Sequence, residues 1–292
     1  MDIDLSNGLW GDPKKPIVVF FGETGSGKTT ALVRLITYLH QNMGCSYDLC
    51  EKFHKHYYPK EPISTVHSEF DAQFDVEIQK VEGTALSCFC RIKDANETVI
   101  CRFLDTPGEN LFSVKDDVRK SKVMKGMGTS VFKYQYLNDI LNTKDYKKVW
   151  IFFMDIDMLL EHKEYAGEYL ENITKIAKSI EGNDNDKMIF VVNKEDRVRE
   201  LYGPVLEQGC EAYINGLFDN ILTKKPFTTE TSTFGFKNKK KHFKAIPFCS
   251  YTVEVKSADM DGNQLPTEYN LSSEAYPAVL WQTIQDAILN KY

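Results

Sequence analysis

Gly22-Glu23-Thr24-Gly25-Ser26-Gly27-Lys28-Thr29 satisfies G-x-x-x-x-G-K-[ST] at every fixed position. Each residue type has a chemical reason to be there. Glycines let the main chain turn its N–H groups inward as a concave anion site, at the positive end of the helix that follows. Lys28 brings a point charge to the β- and γ-phosphates of a nucleotide, and the Thr29 hydroxyl is suited to Mg²⁺. Thr30 extends the same phosphate-facing turn. The competing reading is a glycine-rich strand-to-helix turn with an incidental lysine.

Two other segments place polar chemistry at the end of an apolar run. Val99-Ile100-Cys101-Arg102-Phe103-Leu104 leads into Asp105, which would hold Mg²⁺ through a water, and Thr106-Pro107-Gly108 then turns the chain. Met188-Ile189-Phe190-Val191-Val192 leads into Asn193-Lys194-Glu195-Asp196, an N-K-x-D sequence.

The set G-x-x-x-x-G-K-T, D-T-P-G and N-K-x-D, in this order and each after a strand, resembles the translation-factor and Ras-type class of P-loop GTPases. That resemblance implies a bound GTP or GDP with Mg²⁺, contacted by the whole Gly22–Thr30 stretch and by Gly108. It implies that Asp196 accepts hydrogen bonds from the guanine N1–H and exocyclic amine, two donors that adenine lacks at that edge. Asn193 would brace the site and the Lys194 stem would lie over the base. The class also expects a main-chain N–H near guanine O6 after the last strand, where Phe248-Cys249-Ser250-Tyr251 falls; Cys249 and Ser250 depart from the usual Ser-Ala-type pair.

The same resemblance implies a switch threonine on the Mg²⁺ and γ-phosphate. Thr84 stands 21 residues before Asp105, close to the roughly twenty of compact members; Ser64-Thr65 is the competitor. With Lys28, Thr84 and Glu109 are the catalytic candidates. Glu109 occupies the place where a glutamine usually orients the attacking water. Its negative charge beside a γ-phosphate argues for slow hydrolysis, or for hydrolysis assisted by an arginine from a partner. The alternatives are a nucleotide-binding scaffold with little turnover and a P-loop ATPase in which N-K-x-D is coincidental.

The elements that must position these residues follow from periodicity. Ile17–Phe21 reads as a strand buried on both faces, followed by a helix with Leu32, Leu35, Ile36 and Leu39 on one stripe. Ala85–Lys93 and Thr98–Leu104, joined by Asp94-Ala95-Asn96-Glu97, read as an antiparallel hairpin. Val149–Asp155, Lys187–Val192 and Ala245–Ser250 read as further strands. Helices are expected around Leu159–Ile180, around Val205–Ile221 and from Tyr276 to Ile288. Strands alternating with helices predict an α/β chain, a three-layer α/β/α P-loop NTPase fold with a mostly parallel sheet and one antiparallel edge hairpin. The expectation is a single domain over 1–292, with insertions at about 41–83, 110–147 and 223–244.

Within the insertions, Cys45, Cys50, His54 and His56 read as a loop that happens to collect Cys and His; zinc, for which they have the ligand types at a non-standard spacing, is the competing reading. Val131, Phe132, Leu137, Ile140 and Leu141 form a stripe that reads as packing against its own domain, with a nucleotide-sensitive partner surface or self-association as the competing use. Lys237–Lys241 reads as a solvated loop.

Composition bounds the rest. A net charge of −6 argues against nonspecific nucleic-acid binding. Seven cysteines without a regular framework favour a reducing, cytoplasmic setting. The acidic start lacks an apolar run, no lipidation signal is visible, and no apolar stretch is long enough for a transmembrane segment.

Overall fold

The computed structural model describes residues 9–22, 25–64, 87–106, 132, 134–155, 163–181, 185–195, 209–233, 236–254 and 268–292. In chain order the elements are β1 (Ile17–Phe21), α1 (Lys28–Met43), β2 (Ser46–Leu49), α2 (Glu51–Tyr57), β3 (Cys88–Lys93) and β4 (Val99–Asp105). There follow α3 (Gln135–Asn142), β5 (Lys148–Asp155), α4 (Lys163–Ser179), β6 (Lys187–Asn193) and α5 (Cys210–Leu217). The last are β7 (Thr228–Thr233), β8 (Phe236–Lys241), β9 (Phe243–Pro247), β10 (Tyr251–Glu254), β11 (Glu268–Leu271) and α6 (Ala275–Ile288).

Seven strands form one sheet in the order β2-β3-β4-β1-β5-β6-β9. The five from β4 to β9 are parallel, and β3 and β2 add an antiparallel edge. The run Ile17–Phe21 is buried throughout because it feeds two cores. Ile17, Val19 and Phe21 enter one, with α3, α4 and α5; Val18 and Phe20 enter the other, with α1 and α6. Alternate residues of a central strand face opposite sides, so an unbroken apolar run is what this position demands. Helices on both faces make the three α/β/α layers.

The first insertion contributes to the sheet. Ser46–Leu49 pairs antiparallel with β3, and Asp48 receives the Arg91 guanidinium at 2.6 Å and the Lys93 ammonium at 3.0 Å. Ser-Tyr-Asp-Leu lacks an apolar run because an edge strand buries little more than one residue, here Leu49. The third insertion holds the separate β7–β8 hairpin. Lys237–Lys241 is therefore strand, not loop: Thr and Glu on β7 face Lys on β8, and Glu230 pairs with Lys239 at 3.3 Å. Lys239, Lys240 and Lys241 are exposed.

The stripe in the second insertion packs inward. Leu137 and Ile140 are buried on α3, and Phe132, which precedes that helix, stacks on Phe21 at 5.4 Å. Val131 lies outside the described residues, as do Val205 and Leu206. Ile221 belongs to a 3₁₀ turn beyond α5. Among the described residues no helix is long and apolar enough to cross a membrane.

Candidate functional site

The parallel strands all end on one edge of the sheet, and Lys28, Thr29, Asp105 and Asn193 gather there. Open α/β sheets bind ligands at this carboxyl edge, where two neighbouring strands send their connections in opposite directions. Here those strands are β1, which leads to the β2 edge, and β5, which leads to β6 on the other side.

Beyond β1, Gly25 and Gly27 adopt φ of +80° and +78°, the left-handed region in which a Cβ is costly. Gly27 is the N-cap of α1 and offers no side-chain cap, so the first N–H groups of the helix are not satisfied by a side chain. A Cβ on Gly22 would come within 2.4 Å of Ser26 Oγ, and one on Gly27 within 2.3 Å of Asn193 Nδ2. The loop is thus folded tightly against its neighbours. Lys28, Thr29 and Ser26 are buried, and the Ser26 hydroxyl has no partner among the described residues.

Asp105 ends β4 in register with Phe20 of β1. The Thr29 hydroxyl donates to its Oδ2 at 3.1 Å, while Oδ1 is buried with no partner at hydrogen-bond geometry among the described residues. Burial pushes the Asp105 carboxyl above the usual carboxylate range, and the nearby Lys28 charge and the Thr29 hydroxyl pull it only part of the way back. A hydroxyl beside a buried carboxylate with an unused oxygen suits a hard divalent cation. Thr29 and Asp105 therefore fit Mg²⁺ on geometry as well as on residue type.

Asn193 ends β6, in register with Asp155 at the end of β5. Its Nδ2 donates to the Ser26 carbonyl at 2.6 Å, and its Oδ1 is buried with no partner among the described residues. Lys194 has φ +58° and reaches back to the Asp155 carboxylate. The loop after β9 closes the same edge: Glu195 N–H donates to the Phe248 carbonyl at 3.2 Å, and the Tyr276 hydroxyl donates to Glu195 Oε2 at 2.6 Å. Cys249 and Ser250 are buried, and the Ser250 hydroxyl has no partner among the described residues.

The structure therefore brings together Gly22, Gly25, Ser26, Gly27, Lys28, Thr29, Asp105 and Asn193, with Lys194 beside them and Cys249-Ser250 tied to the loop after β6. Thr30 lies in the first turn of α1 and is half-buried. Glu23, Thr24, Thr84, Gly108, Glu109 and Asp196 lie outside the described residues, and so does Thr65 of the competing pair. Asp155 was missed in the sequence, although it ends an apolar strand just as Asp105 does. Arg34, Ser272 and Tyr276 were also missed, since their partners are far away in the chain.

The competing zinc reading fails. Cys45 lies in the core on the α1 face of the sheet, whereas Cys50 packs against the opposite core. His54 Nε2 accepts the Phe89 N–H at 3.4 Å, and His56 is exposed. Burial pushes the Cys50 thiol up to about 12, which disfavours the thiolate that zinc needs. Among the described residues no three His, Cys, Asp or Glu side chains are grouped to hold a metal. None of the seven cysteines, all of which lie among the described residues, forms a disulfide.

No protein-family model and no curated protein matches the chain. Among solved structures the chain is similar to two of the S. cerevisiae Ski7 GTPase-like domain, one bound to GTP and one bound to GDP and inorganic phosphate. Identity is 15% and 16%, and the TM-score is 0.44 in both. The match covers 94% of this chain and 50% of each of those, so the chain spans half the length of the structures it matches.

Proposed function

We propose that this protein binds Mg²⁺ with GTP or GDP at the carboxyl edge of the sheet and works as a nucleotide-dependent switch that hydrolyses GTP slowly. The observation that carries this reading is the hydrogen bond from Asn193 to the Ser26 carbonyl. It ties the first residue of N-K-x-D to the glycine loop, which supports one site shared by the phosphate-type and base-type motifs.

In this reading the N–H groups of Gly25–Thr30 and the Lys28 ammonium hold the phosphates, with Glu23 and Thr24 completing the loop. Thr29 and Asp105 hold Mg²⁺, which when bound offsets phosphate charge. Thr84 joins them and Gly108 follows the γ-phosphate. Asp196 reads the guanine N1–H and amine, Lys194 covers the base, and the main chain of Cys249-Ser250 meets O6. Lys28 stabilises charge on the transferred phosphoryl group. Glu109 is left to orient water, a task its charge makes inefficient beside a γ-phosphate. A protein partner or a second copy would then supply the missing cation.

Competition binding tests the base assignment. GTP should displace a labelled guanine nucleotide at concentrations at least about a hundredfold below ATP, and Asp196→Asn should turn the preference toward xanthosine triphosphate. Equal affinity for GTP and ATP would end the guanine reading. Glu109 also favours a second reading, a nucleotide-binding scaffold without turnover. Single-turnover assays with the chain in excess separate the two: phosphate release supports the switch, and its absence with or without added cell lysate supports the scaffold.

A further inference from the structure

Arg34 lies on α1 within two turns of Lys28. Its side chain is buried, and Nη2 donates to the main-chain carbonyl of Ser272 at 3.0 Å, across 238 positions of sequence. Ser272 is buried as well and uses its other two polar groups on the loop after β9. Its hydroxyl donates to the Cys249 carbonyl, and its N–H donates to the Ser250 carbonyl at 3.4 Å. One serine thus connects the phosphate-side helix to both residues of the 249–250 loop. The Ser250 hydroxyl is buried and has no partner among the described residues, a position that a ligand would satisfy.

Burying a guanidinium is an expensive way to fasten a loop to a helix, since an apolar contact avoids the desolvation. What the charged, directional link adds is placement. A main-chain N–H that must meet one base atom tolerates errors well under an ångström. Guanine presents an acceptor at position 6, and adenine presents an amino donor. An N–H held there favours guanine and opposes adenine, whereas an N–H free to swing away discriminates little.

We propose that Arg34 and Ser272 are positioning residues for base selection, fixing the Cys249-Ser250 main chain relative to the helix that carries Lys28 and Thr29. This rests on the guanine-nucleotide reading above and adds the residues that set its selectivity. Neither residue touches the nucleotide. Their effect falls on the ratio of GTP to ATP affinity, because the phosphate contacts are the same for both.

The test measures equilibrium affinities of the full chain for GTP and for ATP, with Mg²⁺, alongside a thermal melt. Ser272→Ala removes the hydroxyl donor and leaves both main-chain links. It should lower GTP affinity about tenfold, the effect of one lost hydrogen bond, with ATP changed by no more than about twofold. Ser272→Thr should restore the ratio to within about threefold of wild type, because it returns the hydroxyl. Arg34→Met, which keeps the apolar stem, should reproduce the selectivity loss; if that variant does not fold, the Ser272 pair decides alone. Equal losses for GTP and ATP, or an unchanged ratio in Ser272→Ala, would overturn the positioning role. A wild-type chain that does not prefer GTP overturns the guanine reading beneath it, an outcome visible before any variant is made.

Discussion

Asn193 holds the carbonyl of Ser26 at 2.6 Å, and a Cβ on the next residue, Gly27, would strike that same carboxamide at 2.3 Å. The end of β6 and the loop after β1 are therefore built around each other, across 167 positions of sequence. Gly27 is required twice, once for its φ of +78° and once for the space that Asn193 fills.

That contact predicts how Asn193 acts. Asn193→Ala should weaken GTP and ATP alike, about tenfold each, because the lost hydrogen bond braces the phosphate loop. Isothermal titration with both nucleotides checks this. A loss confined to GTP would place Asn193 on the base instead of the loop.

Asp105→Asn should separate stability from ligand binding. Burial raises the Asp105 carboxyl in the folded chain, so the folded state binds the proton more tightly than the unfolded state. Stability from this group is then greatest below the unfolded value of about 4 and falls as pH rises through the higher folded value. At neutral pH the amide removes that cost, and the ligand-free variant should melt a few degrees higher. Its GTP affinity in Mg²⁺ should drop to that of the wild type in EDTA. A lower melting temperature together with intact Mg²⁺ dependence would remove Asp105 from the metal site.

The Lys194–Asp155 pair predicts coupling. Asp155→Asn frees a lysine that stands at positive φ with its ammonium on a buried carboxylate. GTP affinity should fall about three- to tenfold, while the exposed part of the pair limits the change in folding stability to under about 1 kcal/mol. In a double-mutant cycle with Lys194→Met the two losses should not add. Additive losses would mean that Asp155 acts on something other than Lys194.

Glu109→Gln should speed hydrolysis. The amide removes a negative charge from beside the γ-phosphate and restores a neutral water-orienting group. Single-turnover phosphate release should rise at least about tenfold with GTP affinity little changed. An unchanged rate would show that Glu109 does not face the reaction.

Much of the fold was legible because its signals are local. The run Ile17–Phe21, the glycines after it and the strand-end polar residues Asp105 and Asn193 all follow from a few neighbouring residues. The hairpin of β3 and β4 was visible in its polar turn. What stayed hidden has no local mark. β2 is an edge strand with one buried apolar residue, and β8 is lysine-rich because its partner supplies Thr and Glu instead of a core. Arg34 sits among the residues of an amphipathic helix, and nothing near it announces Ser272. Cys45, Cys50, His54 and His56 show the opposite case: close in sequence, Cys45 and Cys50 pack against cores on opposite faces of the sheet, and His56 is exposed.

The link through Ser272 and the hydroxyl of Tyr276 also orders events as the chain is made. A polypeptide growing from its N-terminus completes the glycine loop, Asp105 and Asn193 well before the segment that fastens Cys249 and Glu195 emerges. A ribosome paused ahead of Ser272 would present a chain with its phosphate-side residues in hand and the 249–250 loop still untethered. Under the proposed reading, the share of base selection that depends on the 249–250 loop would be acquired only after the phosphate-side residues are in place.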